Sequence, residues 1–145
     1  NRTIPDNHFR VIYRDVLKNL AESKKILLSQ TYVGTTQEVA DQNAVRNNKI
    51  AIIDIYSAYS YSILVDTFGN VPYSEALDIE NHPNPKYDDA QTIYKDLVSK
   101  LTASVNSMDT SKDSFGTADL IYGGDMAKWK KFANSLFDFN RIDCA

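Results

Sequence analysis

Between Ile50 and Val65 the chain reads IAIIDIYSAYSYSILV, in which Asp54 is the only charge. Apolar side chains fall at Ile52, Ile55, Tyr56, Tyr59 and Ile63 on one side of a helix, and at Ile53, Ala58, Leu64 and Val65 on others. A helix that is apolar around most of its circumference has to be enclosed by other helices. The run falls short of the ~18–20 apolar residues needed to cross a bilayer. It also carries Asp54 with three Tyr and three Ser. It therefore predicts a buried central helix, which Gly69 ends and Val71-Pro72-Tyr73 turns into an ordered loop.

The flanking segments supply the enclosure. Residues 1–5 are polar and lead in, and Asp6 or Asn7 caps a first helix whose stripe is Phe9, Tyr13, Val16, Leu17, Leu20, Leu27 and Leu28. That helix should stop near Tyr32-Val33-Gly34, with Gly34 in the left-handed turn. Thr35 and Glu38 form a capping-box pattern that starts the long second helix, which runs to about Thr67 with a possible kink at Asn47-Asn48. Residues 69–87 form a connection too long for a simple turn, stiffened by Pro72, Pro83 and Pro85. Its first half packs down, and 78–82 is exposed. Asp88 and Gln91 repeat the capping pattern before a third helix striped by Ile93, Leu97, Leu101 and Val105, ending near Ser107. Residues 109–119 are turn formers, and Asp125 caps a last helix with Trp129, Phe132, Ala133, Leu136 and Phe137 on one face. Four helices in antiparallel pairs, with no strand signal of useful length, predict an all-α fold in one domain spanning residues 1–145.

Composition narrows the function. A formal net charge of −3 with no basic stripe gives nothing to hold nucleic-acid phosphates. The single cysteine, Cys144, has no internal partner and no histidine constellation around it, so a thiol without a role outweighs a nucleophile. His8 and His82 lie far apart and outside any ligand spacing, so no metal and no cofactor is expected. A glycosidase would need two acids ~5–9.5 Å apart. Asp54 and Asp66 share the greasy helix, but twelve residues of rise separate them by ~18 Å. No catalytic residue is assigned. The plain reading of Asp54 is a buried carboxylate paired with a first-helix base such as Arg14. For Asp66 it is a carboxylate that accepts amides of the following loop.

Tyrosine is the compositional excess, with nine residues. Aromatic rings stack on the apolar faces of sugars and suit wet interfaces. Tyr13, Tyr56, Tyr59, Tyr94, Trp129 and Phe132 lie at core spacing on helices, whereas Tyr73 and Tyr87 lie in the long loop. Tyr73, Tyr87 and Asp66 are the ligand-binding candidates, and Gly69, Asn70 and Pro72 shape the loop. The competing role for Tyr73 is to staple that loop to the domain.

Three stretches also carry a family resemblance. Leu64-Val65-Asp66-Thr67-Phe68-Gly69-Asn70-Val71-Pro72-Tyr73-Ser74-Glu75-Ala76 resembles the helix end and loop of the SusD/RagB outer-membrane nutrient-binding lipoproteins. Pro85-Lys86-Tyr87-Asp88 with Gln91, Ile93 and Tyr94 is similar to that family's next helix start. Ile121-Tyr122-Gly123-Gly124-Asp125 with Lys128-Trp129 and the run to Leu136 is similar to its next block. The chain departs from the family at Phe137-Asp138-Phe139-Asn140-Arg141, which would leave Phe137 and Phe139 without their usual cover. The resemblance implies a tetratricopeptide-like helical scaffold and an N-terminal portion of a longer protein, lipid-anchored through a cysteine upstream of this chain. It also implies binding of an oligosaccharide or peptide on the outer face of the outer membrane, and a SusC-like TonB-dependent transporter as partner. None of the family's glycan contacts maps onto a motif here. The alternative is a stand-alone helical module that binds a partner peptide.

Overall fold

The computed structural model describes residues 3–142. It is predominantly helical, as the patterning predicts. The elements are α1 (Thr3–Val11), a π-helical stretch (Ile12–Leu17), α2 (Lys18–Ser29), α3 (Thr36–Phe68), β1 (Val71–Pro72), β2 (Tyr87–Asp88), α4 (Ala90–Ser107) and α5 (Met126–Ile142). Val11, Leu17 and Lys18 keep helical dihedrals, so α1, the π stretch and α2 form one unbroken rod. With α3, α4 and α5, this rod makes the four expected helices.

The rod is already helical at Thr3, ahead of the expected cap at Asp6 or Asn7. It also ends early, at Ser29. Gly34 is close to extended, with φ 159°, instead of left-handed. A Cβ at that position would lie 2.8 Å from the Glu38 carboxylate. The glycine makes room for the cap of α3. There Thr35 Oγ1 accepts from the Glu38 amide at 3.3 Å while the Glu38 carboxylate accepts from the Thr35 amide at 2.8 Å.

Helix α3 is the axis of the molecule. Ile52, Ile55, Ala58, Tyr61, Leu64 and Val65 are all buried, and the rod and α4 flank it. The rod runs antiparallel to it: Phe9 meets Phe68 at 5.3 Å between ring centroids, Tyr13 meets Tyr61 at 6.1 Å, and Lys24 reaches Asp54 at 2.6 Å. On the other side Tyr94 of α4 donates to Asp66, and Leu101 and Val105 line a small hollow with Phe137 of α5, which packs against the core. Phe137 is thus half-buried, against the expectation that it lacks cover. The side chain of Phe139 and all of Cys144 lie outside the described residues.

Helix α3 runs unbroken through Asn47-Asn48. Asn48 is fully buried, and its amide donates to the carbonyls of Asp109, Lys112 and Asp113 at 2.8, 3.0 and 3.1 Å while its Oδ1 accepts the Asp109 amide at 2.9 Å. One side chain thereby satisfies both hydrogen-bonding faces of the α4–α5 loop. A second anchor holds the other end of that loop. Asp119 accepts amides from Ile121, Tyr122 and Gly124 and the Trp129 indole N–H at 2.6 Å. Asp125 then caps α5 through the Lys128 amide at 3.0 Å. Gly124, at φ 80°, is irreplaceable because a Cβ there would lie 2.7 Å from the Gly116 nitrogen.

Replacing Asn48 strands buried loop groups, each lost bond costing about 1–3 kcal/mol. Asn48→Ala should therefore lower the unfolding free energy by about 2–4 kcal/mol in urea titration. Asn48→Asp, which sets a carboxylate against the three carbonyls, should be no better. A variant of wild-type stability would refute the anchor role.

Candidate functional site

The loop after α3 is built from local rules and tied down from several sides. Gly69 ends the helix at φ 74°, a conformation open to glycine at no steric cost. Val71 and Pro72 then pair antiparallel with Asp88 and Tyr87. This two-residue ladder is short enough to leave the all-α reading intact. It moves the helix cap, since Asp88 belongs to the ladder and Asp89 caps α4 by accepting the Thr92 amide at 3.0 Å.

Asp88 takes the role expected of Asp66. Its carboxylate accepts the amides of Tyr73 at 3.1 Å and Ser74 at 2.7 Å, and the Ser74 hydroxyl at 2.9 Å. Burial alone would raise its pKa. The Ser74 and Tyr73 donors, with the Lys86 charge, outweigh that and hold it below the usual carboxylate range. Asn70 Oδ1 accepts the Ala90 amide at 3.0 Å, and the carbonyl of buried Pro72 accepts the Tyr13 hydroxyl at 2.5 Å. Burial, with Tyr61 nearby, pushes the Tyr13 phenol far up, so it stays a neutral donor.

The three ligand-binding candidates engage different neighbours. Tyr73 is half-buried, with its ring edge-on to Tyr61 at 4.7 Å. Its hydroxyl donates to Asp96 and accepts from Lys100 Nζ at 2.7 Å. Burial and then the Asp96 bond raise its pKa, so it remains protonated. Asp66 accepts the Tyr94 hydroxyl and takes no loop amide. Tyr87 is 65% exposed and lines a hollow of about 400 Å³ with Pro5, Asp6, Phe9, Phe68 and Asn70. A second hollow of about 360 Å³ shares Phe9 and continues along Arg10, Tyr13, Arg14 and Lys18 to Leu77 and Ile79.

Asp54 is paired with Lys24, whose Nζ lies 2.6 and 2.8 Å from its two oxygens, and not with Arg14. The register explains the change. With Tyr13 set against Tyr61, the second half of the rod faces Asp54, while Arg14 stays on the exposed face and binds Asp15 at 2.7 Å. Among the described residues no cluster of His, Cys, Asp or Glu could hold a metal ion. No described helix is long and apolar enough to cross a membrane.

Asp119 behaves as Asp88 does. Burial opposes its ionisation, and the Trp129 indole with the amides of Gly124, Ile121 and Tyr122 overcomes that and lowers its pKa. A carboxylate whose folded pKa is depressed stabilises the fold above the ordinary value of about 4, and this stability disappears as pH falls through the folded value. The urea midpoint should therefore decline as pH falls below about 4. Asp119→Asn should lower the neutral-pH midpoint and flatten the acid limb. An acid limb of unchanged slope would show that Asp119 is not depressed.

Comparison with known proteins was made against this geometry. Residues 1–137 match the profile of the SusD-like family described as "Starch-binding associating with outer membrane". Among curated proteins none matches the chain. Among solved structures, a chitin-binding protein is similar at 30% identity and TM-score 0.70, over 90% of this chain and 25% of its own. A SusD-like protein of Bacteroidetes AC2a is similar at 26% identity and TM-score 0.65, over 86% of this chain and 20% of its own. A SusD homolog from Parabacteroides distasonis is similar at 31% identity and TM-score 0.61, over 88% of this chain and 23% of its own. The chain thus spans a quarter or less of the length of each of these relatives. With the family profile covering residues 1–137 and these helical relatives beside it, the chain belongs to the SusD-like family.

Proposed function

We propose that this chain is the helical scaffold of a cell-surface protein that captures glycans and passes them, uncleaved, to a TonB-dependent transporter in the outer membrane. The protein would be held at the surface by a lipid anchor. The observation that carries the reading is the family match over residues 1–137, whose description joins starch binding to the outer membrane. The chitin-binding relative supports a polysaccharide ahead of a peptide as the ligand. The absence of bond cleavage is supported by the two acids of the central helix. Asp54 is neutralised by Lys24, and Asp66 is occupied by Tyr94, so neither is free to serve as a general acid.

Within the scaffold, Tyr73 and Asp66 act as props. Tyr73 ties the loop to α3 and α4, and Asp66 ties α3 to α4. Tyr87 is the candidate left presenting a ring to solvent. Tyr73→Phe should cost about 1–2 kcal/mol of stability through the stranded Asp96 and Lys100 contacts, and should leave glycan affinity unchanged.

The test is affinity electrophoresis of this chain and of a longer form of the protein through gels containing starch, glycol chitin or acidic polysaccharides, with an assay for new reducing ends. Retardation of the longer form without release of reducing ends is the expected result. Steady hydrolysis of any retained polysaccharide would overturn the capture reading. So would retention on none of them combined with binding to peptides, which favours the helical interaction module.

A further inference from the structure

The two hollows that share Phe9 as a lining residue differ in chemistry, and together they define a ligand. On one side Tyr87 and Phe68 offer aromatic surface beside Asn70 and Asp6. Asn70 uses its Oδ1 on the Ala90 amide, which leaves its NH₂ as a donor toward a ligand. On the other side the wall is basic: Arg10, Arg14 and Lys18 line it, and no acidic residue does. The chain as a whole carries a net charge of −3, so this wall runs against the overall balance.

The charges on that wall are not all spent. Arg14 is neutralised by Asp15 through two bonds, at 2.7 and 2.8 Å. Arg10 donates to the neutral Asn7 side chain at 3.0 Å, and Lys18 has no carboxylate partner among the described residues. The same hollow is also lined by Leu77, held at φ 71°. That conformation costs a bulky side chain about 1–3 kcal/mol and is typical of ligand clamps. Ile79 next to it is 69% exposed. The floor is fixed, since the Tyr13 hydroxyl is bound to the Pro72 carbonyl.

We infer that this groove binds an acidic oligosaccharide: Tyr87 and Phe9 stack on a pyranose ring, Asn70 donates to a ring hydroxyl, and Arg10 and Lys18 hold a carboxylate or sulfate on the neighbouring sugar. The inference rests on the glycan-capture reading and narrows its substrate class. A neutral glycan would leave Arg10 and Lys18 unused. A simple polyanion would leave the aromatic half unused, and Asp6 would repel it there. Sugars carrying both features use the whole groove.

The test titrates the chain with oligogalacturonate, a chondroitin sulfate oligosaccharide, maltoheptaose, chitohexaose and polyglutamate by calorimetry. Parallel titrations use Tyr87→Ala and the double variant Arg10→Ala with Lys18→Ala, all at exposed positions and each checked by circular dichroism. Binding of one of the acidic sugars, reduced at least about tenfold by either variant, is expected; which of the two binds separates uronate from sulfate recognition. Binding of neutral sugars alone, lost in Tyr87→Ala and unaffected in the double variant, would overturn the acidic specificity and leave glycan capture standing. Polyglutamate binding as tight as that of the acidic sugars would reduce the wall to unspecific charge attraction and overturn the site. Binding of none would overturn the groove as a sugar site, while the longer protein in the gel assay tests capture itself.

Discussion

A helix as apolar as α3 is stable in water only while other elements cover it. Ile52, Ile55, Leu64 and Val65 each gain roughly 1.5–3 kcal/mol from burial, and they are buried because the rod, α4 and the loop after Gly69 close around them. Enclosing one axis explains the order of the whole chain. The antiparallel rod covers one side, the short ladder seals the C-terminal end with buried Val71, and α4 carries the chain back along α3.

The covering segments are held by a few polar side chains, each serving several backbone groups. Asn48 holds the loop after α4, Asp88 holds the loop after α3, and Asp119 holds the turn before α5. Loops of this kind would otherwise leave amides and carbonyls without partners beside the core. The tyrosines work the same way. Tyr13, Tyr73 and Tyr94 each bury a ring and spend the hydroxyl on another segment, so three of the nine tyrosines are cross-braces.

What the sequence made legible was local. The Thr35–Glu38 cap, the Asp125 cap, the end of α4 at Ser107 and the burial of Trp129 follow from residues within a turn or two of one another. The long-range arrangements were not legible. Asn48 reads as a helix weak point because its partners lie more than sixty residues away. Asp54 reads as a partner of Arg14 because the choice between Arg14 and Lys24 depends on the register of two helices. Asp88 reads as a cap, since a two-residue ladder has no periodicity to detect. The hollow at Tyr87 brings together Pro5, Phe9, Phe68 and Asn70 from three parts of the chain, so only Tyr87 and Asn70 could be singled out beforehand.

On the proposed reading the ligand sits at one end of the helical scaffold, where the start of the rod meets the loop before α4. Hydrogen–deuterium exchange of the chain with and without saturating acidic oligosaccharide tests this most directly. The account predicts slowed exchange confined to residues 4–18 and 70–88, with α5 and the loop of residues 109–119 unchanged. Protection centred on that loop or on α5 would contradict it.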